Sequence, residues 1–211
     1  MGQYFHACSV DRKEWVRPSM LKLMEHSWLR NPAVLFVEQL LIIGNPWHKT
    51  RIVWAGDYGE KLEHLTEKQI STYQAFYPKA EPVQFAKYPD SINPNLYDFC
   101  EESTYKHYQK WMFKQITVSE PDFSYLYQNY PFIVNHTKKE YVNKRNCPSI
   151  DGWRVHPLPL LTCTGSDSGG SYYTEDPEQL RLIGSWSGDI ISVESIKPKG
   201  YTLIRPNFAE R

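Results

Sequence analysis

The sequence predicts a single α+β domain, 1–211, with two pseudo-repeated β-rich units at about 3–60 and 130–204 and a helical insert, 61–129, between them. Three observations carry that expectation. The stretch 130–142 reads as an apolar strand, a polar turn and a returning strand, and the chain says nearly the same thing 126 residues earlier. Tyr4 falls on Tyr130, Ser9 on Asn135, Arg12 on Lys138, Lys13 on Lys139, Glu14 on Glu140 and Val16 on Val142. A second echo sets Trp54-Ala55-Gly56-Asp57 against Trp186-Ser187-Gly188-Asp189 at an offset of 132, each beside a β-branched run. Two matches in the same order suggest a repeated unit, with the extra residues placed in the 165–170 loop. Third, the helix signals fall mostly between the two hairpins.

The elements follow in order. A first hairpin is predicted over 4–10 and 14–16, turning at Asp11 and Arg12. Residues 21–28 fit neither the helical nor the strand period. The clearest helix covers 31–44: Asn31 is a good N-cap, Pro32 suits the first helical position and Gly44 supplies the stop. Its residues are apolar on most sides, with Glu38 and Gln39 as its only polar surface, so it is expected to be central.

Residues 47–58 read as a strand, apolar over 51–54 and closing at Ala-Gly-Asp. Thr66 caps a second helix to about Tyr77, 78–94 carries four prolines and reads as a linker, and 95–115 is a third, amphipathic helix. Residues 116–127 connect to the second hairpin. After it, 143–152 is read as loop and 153–162 as a strand, restricted by Pro157 and Pro159 to an edge. Residues 165–170 form a Gly/Ser loop, 182–193 is strand-like, and 200–204 is a last short strand.

The totals exclude several classes. The 211 residues suffice for an ordinary core, and 23% charged against 41% hydrophobic residues indicates a folded chain. A formal net charge of zero provides no global attraction for DNA or an anionic membrane. The longest apolar stretch, 34–43, is too short to cross a bilayer, and no signal peptide is visible. Four scattered cysteines give neither a disulfide framework nor a zinc ribbon, so a reducing, cytoplasmic setting is expected. The aromatic share is high at 15%, which suits binding surfaces as well as cores.

Catalytic signatures are weak. Asp167-Ser168-Gly169-Gly170 copies the heart of a trypsin-like nucleophile segment, but Ser166 and Ser171 depart from it and matching His and Asp segments are missing. The seven histidines include no His-Glu-x-x-His and no pair at i, i+4, so no metal and no cofactor are called for. Glu25-His26 could exchange a proton. Asp57 and Asp189, each after Trp-x-Gly, could act as paired acid and base if the echo is structural; the plainer role is closing a turn. The basic turn residues Arg12, Lys13, Lys138 and Lys139, together with Arg51 and His136, could meet an anion, although solvated hairpin tips look the same.

Several segments resemble a family of uncharacterised proteins of bacteria and their phages. They are Met-Gly-Gln-Tyr at 1–4, Leu-Lys-Leu-Met-Glu-His-Ser-Trp at 21–28, Arg-Ile-Val-Trp-Ala-Gly-Asp-Tyr at 51–58, the turn at 135–142, His-Pro-Leu-Pro-Leu-Leu-Thr at 156–162, and 184–194. The resemblance implies a non-secreted setting and carries over no catalytic residue. By analogy with small phage proteins, counter-defence is one role it suggests.

The expected function is therefore non-catalytic binding of a small anionic ligand, a nucleotide being one candidate, or of a protein partner between the two units. The expected ligand-binding residues are His26, Arg51, Trp54, Asp57, Tyr58, His136, Lys138, Tyr172, Trp186 and Asp189. The alternatives are a hydrolase using Asp57, Asp189 or His26, and an assembly component. No DNA and no membrane are expected as partners, and an oligomer is compatible with the sequence.

Overall fold

The computed structural model describes residues 3–16, 22–57, 96–97, 100, 113–117, 119, 121–164, 174 and 176–208. The predicted helix from Thr66, the proline-rich linker, most of the predicted third helix and Ser168 lie outside the described residues. The fold is α+β: an eight-stranded mixed sheet carries short helices, chiefly against one face.

Both predicted hairpins form. β1 (Phe5–Ser9) pairs with β2 (Glu14–Val16), and β5 (Phe132–Asn135) pairs with β6 (Glu140–Asn143). Their closing pairs are Ser9 with Glu14 and Asn135 with Glu140, the same positions at the offset of 126. Each turn ends on a lysine in the left-handed region, Lys13 at φ 53° and Lys139 at φ 55°. Two central strands, β3 (Thr50–Gly56) and β9 (Ile190–Glu194), lie side by side, and two short strands, β4 (Lys114–Ile116) and β10 (Thr202–Leu203), form the edges. The order β10-β6-β5-β9-β3-β1-β2-β4 reads the same from either edge inward: an edge strand parallel to its neighbour, a hairpin, then a central strand.

The match extends to side chains, though not along the predicted echo. Trp47 Nε1 donates to Glu14 Oε2 at 2.8 Å, and Trp186 Nε1 donates to Glu140 Oε2 at 2.7 Å. Ser9 Oγ reaches Thr50 Oγ1 at 2.9 Å where Asn135 Nδ2 reaches Asp189 Oδ2 at 2.8 Å. The residue matching Trp186 is thus Trp47, 139 positions earlier, and the expected equivalence of Trp54 with Trp186 is corrected. Trp54 lies within β3, while Trp186 lies in the turn before β9.

Helix α1 (Leu23–His26) resolves the ambiguous stretch 21–28, and α2 (Pro32–Leu41) forms as predicted. Asn31 Oδ1 accepts from the amides of Ala33 and Val34, and Pro32 needs no partner for an N–H that it lacks. The C-terminal part of the predicted third helix is instead the strand β4. The connecting stretch 116–127 contains the start of α3 (Phe123–Asn129), capped by Asp122, whose carboxylate accepts from Tyr125 N. The predicted strand over 153–162 is corrected as well. Only β8 (Trp153–Arg154) is strand, paired with β7 (Ser149–Ile150), and Pro157 then opens α4 (Pro157–Thr162). A proline at the first helical turn loses no hydrogen bond, so the residue that bars a central strand starts a helix here. The strand-like reading of 182–193 is right only from Ile190, because Leu182 ends α5 (Pro177–Leu182).

The main core lies between one sheet face and helices α1, α2 and α4. It includes Val34, Val37, Leu41, Ile52, Trp54, Leu160, Leu161 and Ile191. A smaller cluster on the opposite face joins Cys8, Trp15, Val53 and Ala55 to Leu96, Cys100 and Phe113. Burial on both faces explains why β3 reads as an almost unbroken apolar run. Among the described residues no helix is long and apolar enough to cross a membrane.

Candidate functional site: an arginine-lined aromatic groove

Among the described residues, three segments distant in sequence build an open cleft. The β7–β8 turn is Ile150-Asp151-Gly152-Trp153, with φ of 49° at Asp151 and 83° at Gly152. Two consecutive left-handed residues make the tight turn that matches strand twist, and Asp-Gly is a favoured pair for it. This turn leaves Trp153 projecting, 61% exposed. The adjoining strand pairs with the α1–α2 connection: Leu29 N donates to Arg154 O at 3.0 Å, and Trp28 bridges Val155. That pairing sets Leu29 and Arg30 beside the hairpin. Helix α3 closes the remaining side with Phe123 and Tyr127, one turn apart and stacked at 5.4 Å between centroids.

The result is an open groove of about 510 Å³ lined by Leu29, Arg30, Phe123, Tyr127, Gly152, Trp153 and Arg154. Aromatic rings and guanidinium groups alternate around it. Arg30 lies 4.9 Å from the centre of the Phe123 ring, Arg145 and Arg154 lie 6.0 and 5.9 Å from that of Tyr127, and Trp153 leans on Trp28 at 5.9 Å. These are cation–π distances, which hold a guanidinium in place without neutralising it.

The three arginines differ in what else they touch. Arg145 Nε donates to Tyr127 O at 3.2 Å and its terminal nitrogen donates to Gln128 O, so it caps carbonyls of the last turn of α3. Arg154 donates to the Tyr127 hydroxyl and to Arg145 O. Among the described residues the Arg30 side chain makes neither a hydrogen bond nor an ion pair. Among the described residues, no carboxylate is paired with any of the three. The groove is therefore cationic in a chain whose net charge is zero.

The residues expected from the sequence do not share one site. His136, Lys138 and Asp189 meet at the β5–β6 turn, with Lys138 Nζ 3.8 Å from Asp189 Oδ2 and also bonded to Ser185 O. The Ser192 hydroxyl donates to Glu194 at 2.7 Å, so its oxygen accepts from His136 Nε2 at 2.7 Å. Nδ1 of His136 is then left to accept from the Tyr201 hydroxyl at 3.0 Å. Burial, then the Lys49 charge, pushes His136 below the ordinary histidine range, which fits this neutral ring. Both ring nitrogens are engaged within the protein.

Arg51 is spent on Asp11, through its amide and Nε at 2.7 Å each and its terminal nitrogen at 2.6 Å. Trp54 and His26 are buried together, Trp54 Nε1 donating to His26 Nδ1 at 2.6 Å, whereas Glu25 is exposed and caps α1 by accepting from Lys22 N. The Glu25–His26 exchange is thereby corrected. Trp186 is buried against Glu140. Asp57 accepts from Tyr4 N beyond the end of β3, whereas the Asp189 carbonyl accepts from Ile52 N. Five residues of strand, about 16 Å at the usual rise, separate the two ends, so the paired-carboxylate expectation is corrected. Tyr58 and Tyr172 lie outside the described residues.

A second cluster, which the sequence reading missed, is buried. Glu38, read as polar surface, is inside: its Oε1 lies 2.7 Å from Lys144 Nζ and 3.0 Å from His156 Nε2, and all three side chains are at most 1% exposed. Burial raises the Glu38 carboxyl, but Lys144 first and then His156 beside it outweigh burial and bring it down to about 2. Leu158 N donates to His156 Nδ1 at 3.2 Å, which places the ring proton on Nε2, facing Glu38, at an angle short of a hydrogen bond. Sealed from solvent, this cluster orders the interior and offers a ligand no access. Among the described residues no group of three His, Cys, Asp or Glu is placed to hold a metal ion.

Asp151-Gly152 was the available sequence signal for the groove. Read as loop, it is in fact the turn that presents Trp153. No protein-family model, curated protein or solved structure matches the chain.

Proposed function

We propose that the chain is a non-catalytic binding protein that holds a small anionic ligand in the groove between the α1–α2 connection, α3 and the β7–β8 turn. The observation that carries this reading is Arg30, an exposed guanidinium over Phe123 that pairs with no carboxylate among the described residues, in a cleft also lined by Arg154. A cation already positioned and already free of a counter-ion meets an anion with little reorganisation. The groove volume falls within the range of small-molecule sites, and the two halves of the chain both contribute walls, Arg30 from the first and Trp153 from the second.

A hydrolytic reading has less support. Asp57 and Asp189 stand apart, and His26 is packed against Trp54 inside the core. The test is a thermal-shift screen at low salt with phosphate, pyrophosphate, citrate and nucleoside monophosphates. Ligand at about a hundredfold excess over Kd is expected to raise Tm by about 5–10 °C. Arg30→Ala is expected to remove the shift while the unliganded Tm stays put. A flat response to every anion in the set would end this reading.

A further inference from the structure

The chemistry of the groove narrows the ligand further, on the strength of the binding reading above. The groove offers one aromatic face and one uncommitted cation. Trp153 is backed by Trp28 on one side and is 61% exposed, so a broad indole face is left to water beside the arginines. Phe123 and Tyr127 are already covered, Phe123 by Arg30 and Tyr127 by Arg145 and Arg154. Arg145 and Arg154 both spend N–H groups on backbone carbonyls, whereas Arg30 spends none among the described residues.

From this we infer that the ligand is a free nucleotide: its base stacks on Trp153 and its phosphate is taken by Arg30. An indole face is a sequence-tolerant platform for a planar base, and a guanidinium fork matches two phosphate oxygens. The charges of Arg154 in the wall and of Arg145 over Tyr127 add to the field without moving. A nucleic-acid strand is disfavoured. Its affinity grows with the number of phosphates neutralised, and the groove holds one guanidinium without hydrogen bonds in a chain of zero net charge.

Isothermal titration of the full chain with AMP, GMP, CMP, UMP, ribose 5-phosphate, adenosine and a single-stranded oligonucleotide tests the assignment. At least one nucleoside monophosphate is expected to bind at least tenfold more tightly than both ribose 5-phosphate and adenosine. Trp153→Ala should bring that nucleotide down to the ribose 5-phosphate level, and Arg30→Ala should bring it down to the adenosine level. Both side chains are exposed, so circular dichroism and Tm of the unliganded variants should match the parent.

Ribose 5-phosphate binding as well as every nucleotide would overturn the base-stacking assignment and leave an anion site standing. An oligonucleotide binding more tightly than the best nucleotide, with a steep salt dependence, would overturn the free-nucleotide assignment in favour of a strand. Silence from every phosphate-bearing probe would overturn the nucleotide assignment, and silence from citrate as well would overturn the binding reading beneath it.

Discussion

Lys144 Nζ lies 2.7 Å from Glu38 Oε1 in the middle of the core, although 106 residues separate them in the chain. The pair ties the central helix α2 to the turn after β6, and His156 at the head of α4 completes it. Removing one member strands the other without solvent. Glu38→Gln and Lys144→Met are each expected to lower stability by about 3–5 kcal/mol in urea titrations. The double replacement Glu38→Met with Lys144→Met should cost less than either alone, since it leaves no unpaired charge.

The same carboxyl predicts an acid transition. Glu38 titrates at about 2 in the folded protein against 4.5 ordinarily. A depressed folded value means that its stabilisation is complete above about 4.5 and is lost as pH falls toward 2. Stability measured across that window should fall more steeply for the parent than for Glu38→Gln. Parallel curves would show that the ion pair contributes nothing to acid unfolding.

Trp47 and Trp186 hold matching positions, and their energetics should match too. Each indole donates to a glutamate at the start of a hairpin's second strand. Replacing either by Phe removes the N–H while keeping an aromatic ring, and each change is expected to cost about 1.5–3 kcal/mol, the range for a hydrogen bond to a charged group. A large cost on one side with none on the other would show that the shared geometry is not shared stabilisation.

Gly184, in the α5–β9 turn, is expected to be less replaceable than Gly44. It sits at φ +68°, and an added Cβ would lie 2.7 Å from the backbone oxygen of Cys163. Gly44, at φ +85°, has nothing within 4 Å of the same position. Gly44→Ala should therefore cost only the left-handed penalty, about 1–2 kcal/mol. Gly184→Ala should cost more, because a backbone carbonyl cannot step aside; thermal denaturation of the two variants makes the comparison.

Cys147 should be chemically silent. Burial, only partly offset by Arg154, pushes its thiol up to about 12. At pH 8 about one molecule in ten thousand would carry the reactive thiolate. Iodoacetamide followed by peptide mass spectrometry should leave Cys147 unmodified in the folded protein and label it in denaturing urea. Equal labelling in both conditions would contradict the burial.

Local signals were read well where one residue type has one physical use. Asn31-Pro32 gave the start of α2, and the polar turns gave both hairpins. They were misread where one residue serves two ends. Pro157 excludes a central strand and equally begins a helix, and the structure takes the second option. Asp151-Gly152 is a hairpin pair inside a stretch that reads as loop, because only two residues of strand flank it on each side. The candidate site suffered most. Trp54 and Trp186 share letters but not positions, while Trp47, inside no obvious motif, makes the same bond to a hairpin glutamate as Trp186.

By itself the sequence determined the hairpins, the buried helix and the α+β class, because capping, turn chemistry and apolar period act over a few neighbours. Only the tertiary structure decided that Glu38 is interior, that β4 and β10 close the sheet, and that Arg30, Phe123 and Trp153 share one groove. Those outcomes depend on which distant segments pair, and strand pairing is settled by packing the whole sheet against its helices. No local pattern along the chain encodes it.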